Sequence, residues 1–181
     1  MTDLLVLDLV GKGLVTDQMV LDIGYDIENL TNANIVGSYK GEVTTDYYGR
    51  KIPKQAHGTA NIGRQTSSTM LIMNAVMELF DRIVDKNLLV RRIHVTVCRL
   101  VNADSVQKTD SFEQLDLFTD YEAVQKKRAE EETALEREKR IQQAILMLRE
   151  KYGKNAVLKG MNLEEGATTI SRNKQIGGHK A

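Results

Sequence analysis

Residues 16–26, TDQMVLDIGYD, put Met19, Leu21, Ile23 and Tyr25 on one side of an extended chain and Val20, Asp22, Gly24 and Asp26 on the other. A period of two is that of a half-buried strand. A chain that contains such a strand must cover its apolar face and is left with a second face that is polar. A second run, LVRRIHVTVCRLV at 89–101, alternates in the same way, with Ile93, Val95 and Val97 on one face and Arg92, His94, Thr96 and Cys98 on the other. Its length predicts a central strand.

The cover for the apolar faces is legible between these runs. In SSTMLIMNAVMELFDRIVDKNL, residues 67–88, Leu71, Ile72, Ala75, Val76, Leu79, Phe80 and Ile83 recur at helical spacing, and Ser67 or Ser68 can cap the start. Met70, Met73 and Met77 read as core filling. A short strand is expected at 59–65, just before this helix. Leu4–Val10 is dense in apolar residues and stops at Gly11 and Gly13; it reads as a helix or a buried strand, and its abrupt start is that of a chain cut from something longer. From Glu28 to His57 no period is visible. This stretch reads as one long connection with a basic segment, DYYGRKIPKQAHG at 46–58.

After Phe118 the composition changes. Residues 121–152 contain neither glycine nor proline, and helix formers dominate. Glu136 and Arg140 are spaced to pair, and Ile141, Ile145, Leu148 and Tyr152 form a short apolar stripe. One long solvated helix is expected, its last turns packed on something. The tail beyond Gly166 carries Arg172, Lys174, His179 and Lys180 without an acid and is expected to be partly flexible. The fold class that results is α+β, a two-layer antiparallel sheet with helices on one face, followed by the long helix and the tail. The divisions fall at 1–104, 105–120, 121–153 and 154–181.

Chemistry-bearing motifs are few. The single cysteine, Cys98, rules out a disulfide within the chain and suits a reducing compartment. His57, His94 and His179 lack the spacing of a helical metal site. Asp3 with Asp8, or Asp22 with Asp26, are carboxylate pairs better explained as surface residues, and Gly11-Lys12-Gly13 is a helix stop rather than a phosphate loop. The N-terminus lacks a basic region and cleavage site, and no apolar run approaches a membrane span. The candidate binding residues are basic. Lys40, Arg50, Lys51, Lys54, Arg64 and Arg92 can neutralise phosphates, and Tyr39, Tyr47 and Tyr48 lie among the first four, able to pack on sugars or bases.

Between strand and helix lies SFEQLDLFTD, residues 111–120. Adjacent Leu117 and Phe118 are poorly placed to enter one core together and well placed to plug a cleft on another protein, with Gln114 three residues before them as a polar anchor. Gln114-Leu115-Asp116-Leu117-Phe118 resembles the bacterial sliding-clamp-binding peptide Gln-Leu-x-Leu-Phe. The order TDQMVLDIGYD, GTANIGRQTSST, AVMELFDRIV, LVRRIHVTVCRLV, FEQLDLF resembles the C-terminal end of Y-family translesion DNA polymerases. NLEEGATTISRNKQIGGHKA is similar to the tail of their UmuC/ImpB/MucB/SamB-like branch in Gram-positive bacteria.

The resemblance covers nearly the whole chain. It implies a little finger domain of β-α-β-β-α-β order with the first strand missing, which grips DNA by its open sheet face. It implies tethering to the sliding clamp (the β subunit of the replicative polymerase) through residues 114–118, and a role in SOS-type lesion bypass in the cytoplasm. It implies no cofactor in this chain, since magnesium belongs to the family's palm, which lies upstream; the chain alone is then not a polymerase. Accessory or recombination proteins are further partners that the family suggests. The rival readings are a stand-alone clamp- or DNA-binding module and a helical adaptor built on the long helix.

Overall fold

The computed structural model describes residues 1–32, 39–106, 121–176 and 179–180. The chain divides into two compact units, Met1–Ser111 and Phe112–Ala181. The clamp-peptide residues Gln114, Leu115, Asp116, Leu117 and Phe118 lie outside the described residues.

The first unit is organised around β1 (Leu14–Tyr25). It pairs antiparallel with β4 (Ala56–Thr66) on one side and β5 (Val90–Cys98) on the other, and its first residues also pair with β6 (Val101–Asn102). Met19 faces Ala60 and Val97, Leu21 faces Gly58 and Val95, and Ile23 faces Ala56 and Ile93. Partners directly opposite in an antiparallel pair share a face, so these nine residues make one apolar surface. The central place belongs to β1. Contrary to the expectation from its length, β5 has only β1 as a neighbour among the described residues.

Two helices cover that surface. The first, α1 (Thr2–Gly11), ends where Gly13, at φ +64°, turns the chain into β1. The second cover comes late in the unit, after the short α2 (Glu28–Thr31) at the end of β1: it is α3 (Thr69–Ile83), which buries Ile72, Val76 and Leu79 at spacings of four and three. Of the two serines that could cap it, Ser68 does so: its hydroxyl accepts from the Leu71 N–H at 3.3 Å. Val6, Leu9, Met19, Ile72 and Val76 form one core cluster, and Leu21, Ile23, Tyr25, Leu79 and Leu88 the other. Gly58 lets α3 lie close to the sheet, since a Cβ there would stand 2.8 Å from Leu79 Cδ1 and 3.1 Å from Ile83 Cγ2.

The long connection expected at 28–57 contains more structure than its sequence suggests. After α2 come β2 (Val43–Thr45) and β3 (Lys51–Pro53), a two-stranded hairpin. Strands of three residues are too short to display a period, which is why they do not stand out in the sequence.

Asn29, fully buried, joins this region to the sheet. Its Nδ2 donates to the carbonyls of Asp26 and Leu89 at 2.8 and 3.0 Å, and its Oδ1 accepts from the Leu89 N–H at 2.8 Å.

In the second unit α4 (Tyr121–Tyr152) runs for 32 residues. It ends at Gly153, whose φ of +90° and N–H donation to the Arg149 carbonyl make a left-handed stop. Glu136 and Arg140 approach to 3.8 Å, as their spacing predicts. Ile141, Leu148 and Tyr152 of the apolar stripe are exposed rather than packed. The tail carries more local structure than its composition suggests: a 3₁₀ turn at Gly160–Leu163, α5 (Thr169–Asn173), and the two-residue strands β7 (Gln175–Ile176) and β8 (His179–Lys180). It is tied back by Arg149 Nη2 to the Val157 carbonyl and by Asn173 Nδ2 to Asn155 Oδ1.

Replacing Asn29 by alanine leaves the Leu89 N–H without its buried acceptor. The expected cost is about 1–3 kcal/mol, read as a lower midpoint in urea unfolding; an unchanged midpoint would remove Asn29 from this role.

Candidate nucleic-acid interface

The face of the sheet away from α1 and α3 carries no helix among the described residues of the first unit. Three rows cross it, read from β4 through β1 to β5. They are Asn61, Gln18, Cys98; then Thr59, Val20, Thr96; then His57, Asp22, His94. A fourth step pairs Gly24 with Arg92. Gln18 Nε2 donates to Asn61 Oδ1 at 2.9 Å, and His57 Nδ1 meets Asp22 Oδ1 at 2.6 Å. The face is therefore polar and capable of donating and accepting along its length. Cys98 is half-buried at its end.

The β2–β3 hairpin stands beyond the Gly24–Arg92 step, and its tip is built by Asp46. One carboxylate oxygen accepts from the N–H groups of Tyr48 and Arg50, both at 2.9 Å, and the other from Arg50 Nε at 2.8 Å. Asp46 N–H donates to the Arg50 carbonyl and Gly49 N–H to the Asp46 carbonyl, with Gly49 at φ +78°. This is a three-residue loop closed by a glycine in the left-handed region. The Arg50 side chain first, then the two N–H groups, hold the Asp46 carboxyl below its ordinary value.

Hairpin and sheet end enclose a recess of about 160 Å³, lined among others by Tyr47, Tyr48, Arg50, Arg91 and Arg92. Arg50 and Arg92, chosen from the sequence as phosphate contacts, are thus brought together. Arg91 joins them and was not among the chosen residues. Strict alternation would place it on the face of Ile93, but the register shifts between Gly24 and Tyr25 at this point, and Arg91 Nη1 reaches Asp26 Oδ2 at 3.0 Å. The carboxyl of Asp26 is lowered by the Glu28 N–H and then by Arg91. The adjacent arginines at the strand's start were the available signal.

Lys51 and Lys54 are on the hairpin. Lys51 is exposed, and Lys54 Nζ pairs with Glu42 Oε2 at 2.6 Å. Lys40 is exposed ahead of the hairpin. Arg64 lies toward the opposite end of β4, past Asn61, and does not join this group. Tyr39 does not belong to the recess; its hydroxyl donates to the Glu42 carbonyl at 2.6 Å. Of the paired carboxylates, Asp8 meets Lys12, Asp22 meets His57 and Asp26 meets Arg91. Among the described residues no group of three or more His, Cys, Asp or Glu is arranged to hold a metal ion, and no helix is long and apolar enough to cross a membrane.

An antiparallel sheet with α1 and α3 on one face, its other face polar and flanked by a basic hairpin, defines an α+β domain with one open sheet face. The family model for the C-terminal domain of the impB/mucB/samB proteins matches residues 2–117, and the chain belongs to that family: it is the C-terminal region of a UmuC-like Y-family DNA polymerase. The family implies DNA binding and a part in the repair of DNA damage. No curated protein and no solved structure matches the chain.

The Asp46 turn has a defined acid limit. Its folded value lies below the ordinary 3.8, so its stabilisation is present above that pH and is lost as pH falls through the lowered folded value. A carboxyl titration followed by NMR should give Asp46 a midpoint below 3.8 and move the Tyr48 and Arg50 amide signals in step. A midpoint at or above 3.8 would contradict the geometry of the turn.

Proposed function

We propose that this chain holds primer-template DNA with the open face of its sheet and the basic hairpin, and holds the sliding clamp with Gln114, Leu115, Asp116, Leu117 and Phe118, as the tethering region of a lesion-bypass polymerase of the SOS type. The observation that carries the DNA half is the meeting of Arg50, Arg91 and Arg92 at the end of an uncovered polar sheet, in a chain whose family implies DNA binding. Phosphates are attracted by such a group without regard to sequence. Arg50 and Arg91 have acidic partners in the protein, but both arginine side chains remain about half exposed or more, so a phosphate can bind to their outer N–H groups beside the carboxylate.

The clamp half rests on the motif. Leu115, Leu117 and Phe118 supply apolar anchors and Gln114 a polar one. Tethering raises the local concentration of a weak DNA binder at the primer end. In this reading the chain contributes holding and not nucleotide transfer, and magnesium serves the palm of the polymerase. Primer extension by this chain with magnesium should therefore give no product.

Fluorescence anisotropy against primer-template DNA tests the first half. Affinity should fall with salt at a log–log slope of about 0.9 per phosphate neutralised. Arg92→Ala should reduce that slope by about one. Salt-independent binding, or none, would sink the DNA reading. The second half is tested by a clamp pull-down with Leu117→Ala/Phe118→Ala, which should lose the clamp; retention would make the motif structural.

A further inference from the structure

Tyr47 and Tyr48 are 96% and 77% exposed. Adjacent tyrosines at a tight turn place a large apolar area in water and gain nothing for the core. The hairpin nevertheless holds this pair in a defined geometry. The rings meet edge to face, with centroids 5.4 Å apart and planes at 88°. The Arg50 guanidinium lies over the Tyr48 ring, 5.2 Å from its centroid. Asp46 fixes both the turn and Arg50. The two rings border the recess with Arg50, Arg91 and Arg92, and the Gln55 amide joins its lining.

We infer that this recess is a stacking site for one unpaired nucleobase of single-stranded DNA, with Tyr48 as the platform and the arginines as partners for the adjoining phosphates. Three observations carry it. An exposed aromatic face next to cationic groups matches a ligand that is planar and anionic at once; an aliphatic or acidic peptide supplies only half of that. The volume of about 160 Å³ is well under the ~300 Å³ at which cofactor pockets begin, and so suits a single ring system rather than a whole nucleotide cofactor. The recess lies past the last cross-strand row of the open face. A duplex lying along that face presents bases already stacked on their neighbours, so a platform at its end is useful only where a strand has left the duplex. Arg50 and Arg91 are oriented by Asp46 and Asp26. Arg92 has no ion pair among the described residues, which leaves its charge for a phosphate.

The inference rests on the DNA-binding reading and can fail separately from it. Anisotropy of the full chain with a blunt duplex and with the same duplex carrying a short 5′ overhang gives an affinity ratio, and 2-aminopurine in the overhang reports stacking directly. The overhang should be preferred about 5- to 150-fold, the range expected of one stacked base, with quenched 2-aminopurine fluorescence. Tyr48→Ala should bring the ratio toward one, and Tyr48→Phe, which keeps the ring, should retain it. Salt-dependent binding of both DNAs with a ratio of one in the unaltered chain overturns the stacking site and leaves the DNA reading intact. Equal loss in Tyr48→Phe and Tyr48→Ala overturns stacking in favour of a hydroxyl contact. Absence of salt-dependent binding to either DNA overturns both.

Discussion

Burial of one row of side chains on β1 underlies the geometry of the first unit. Met19, Leu21 and Ile23 are almost entirely removed from water, and each such side chain stabilises the fold by roughly 1.5–3 kcal/mol relative to exposure. The row can be buried only if β4 and β5 flank it in the register that puts Ala60, Gly58 and Ala56 on one side and Val97, Val95 and Ile93 on the other. The small residues on β4 are part of that solution. They leave room for α3, whose Leu79 and Ile83 approach Gly58 to within contact. A slip of one residue would send the whole row to water, so packing pins the register.

What that register does for function happens on the other face. The same alternation that buries Met19, Leu21 and Ile23 turns Gln18, Asp22 and Gly24 outward beside Asn61, His57 and Arg92. The open face is thus a consequence of the core and not a separate construction. The basic hairpin is positioned differently, by polar contacts. Asn29 ties α2 to the strand that carries Arg91 and Arg92, Asp26 holds Arg91, and Asp46 holds the turn. Asp26 and Asp46 are carboxylates held below their ordinary values by these joints, so protonation at low pH weakens both.

Most of the framework was legible as pattern. The alternation at 16–26 and 89–101 and the helical spacing at 69–83 each appear as the element they announce, because packing and local preference agree there. The hairpin at 43–53 was not legible, since three-residue strands show no period and only Ile52 and Pro53 are apolar in the second. Arg91 was missed because strict alternation was applied across a register shift. Among the chosen cations, Arg50 and Arg92 meet at one recess while Arg64 lies at the far end of β4. Proximity in sequence to a basic segment carried no information about that. The apolar stripe of α4 was recognised, but its exposure was not, since spacing says which residues share a face and nothing about what covers it.

The sequence by itself determined which faces are apolar, where the two main helices of the first unit and the long helix lie, and the family to which the chain belongs, because these depend on local spacing and on motifs. Only the tertiary structure decided that β1 is central, that the tyrosine turn closes on Asp46, and that three arginines from two separate segments border one recess. The first and the last depend on contacts between residues far apart in the chain, and hydrogen bonds such as those of Asn29 to Leu89 leave no periodic trace; the turn is local, but its side-chain bonds to Asp46 have no period either.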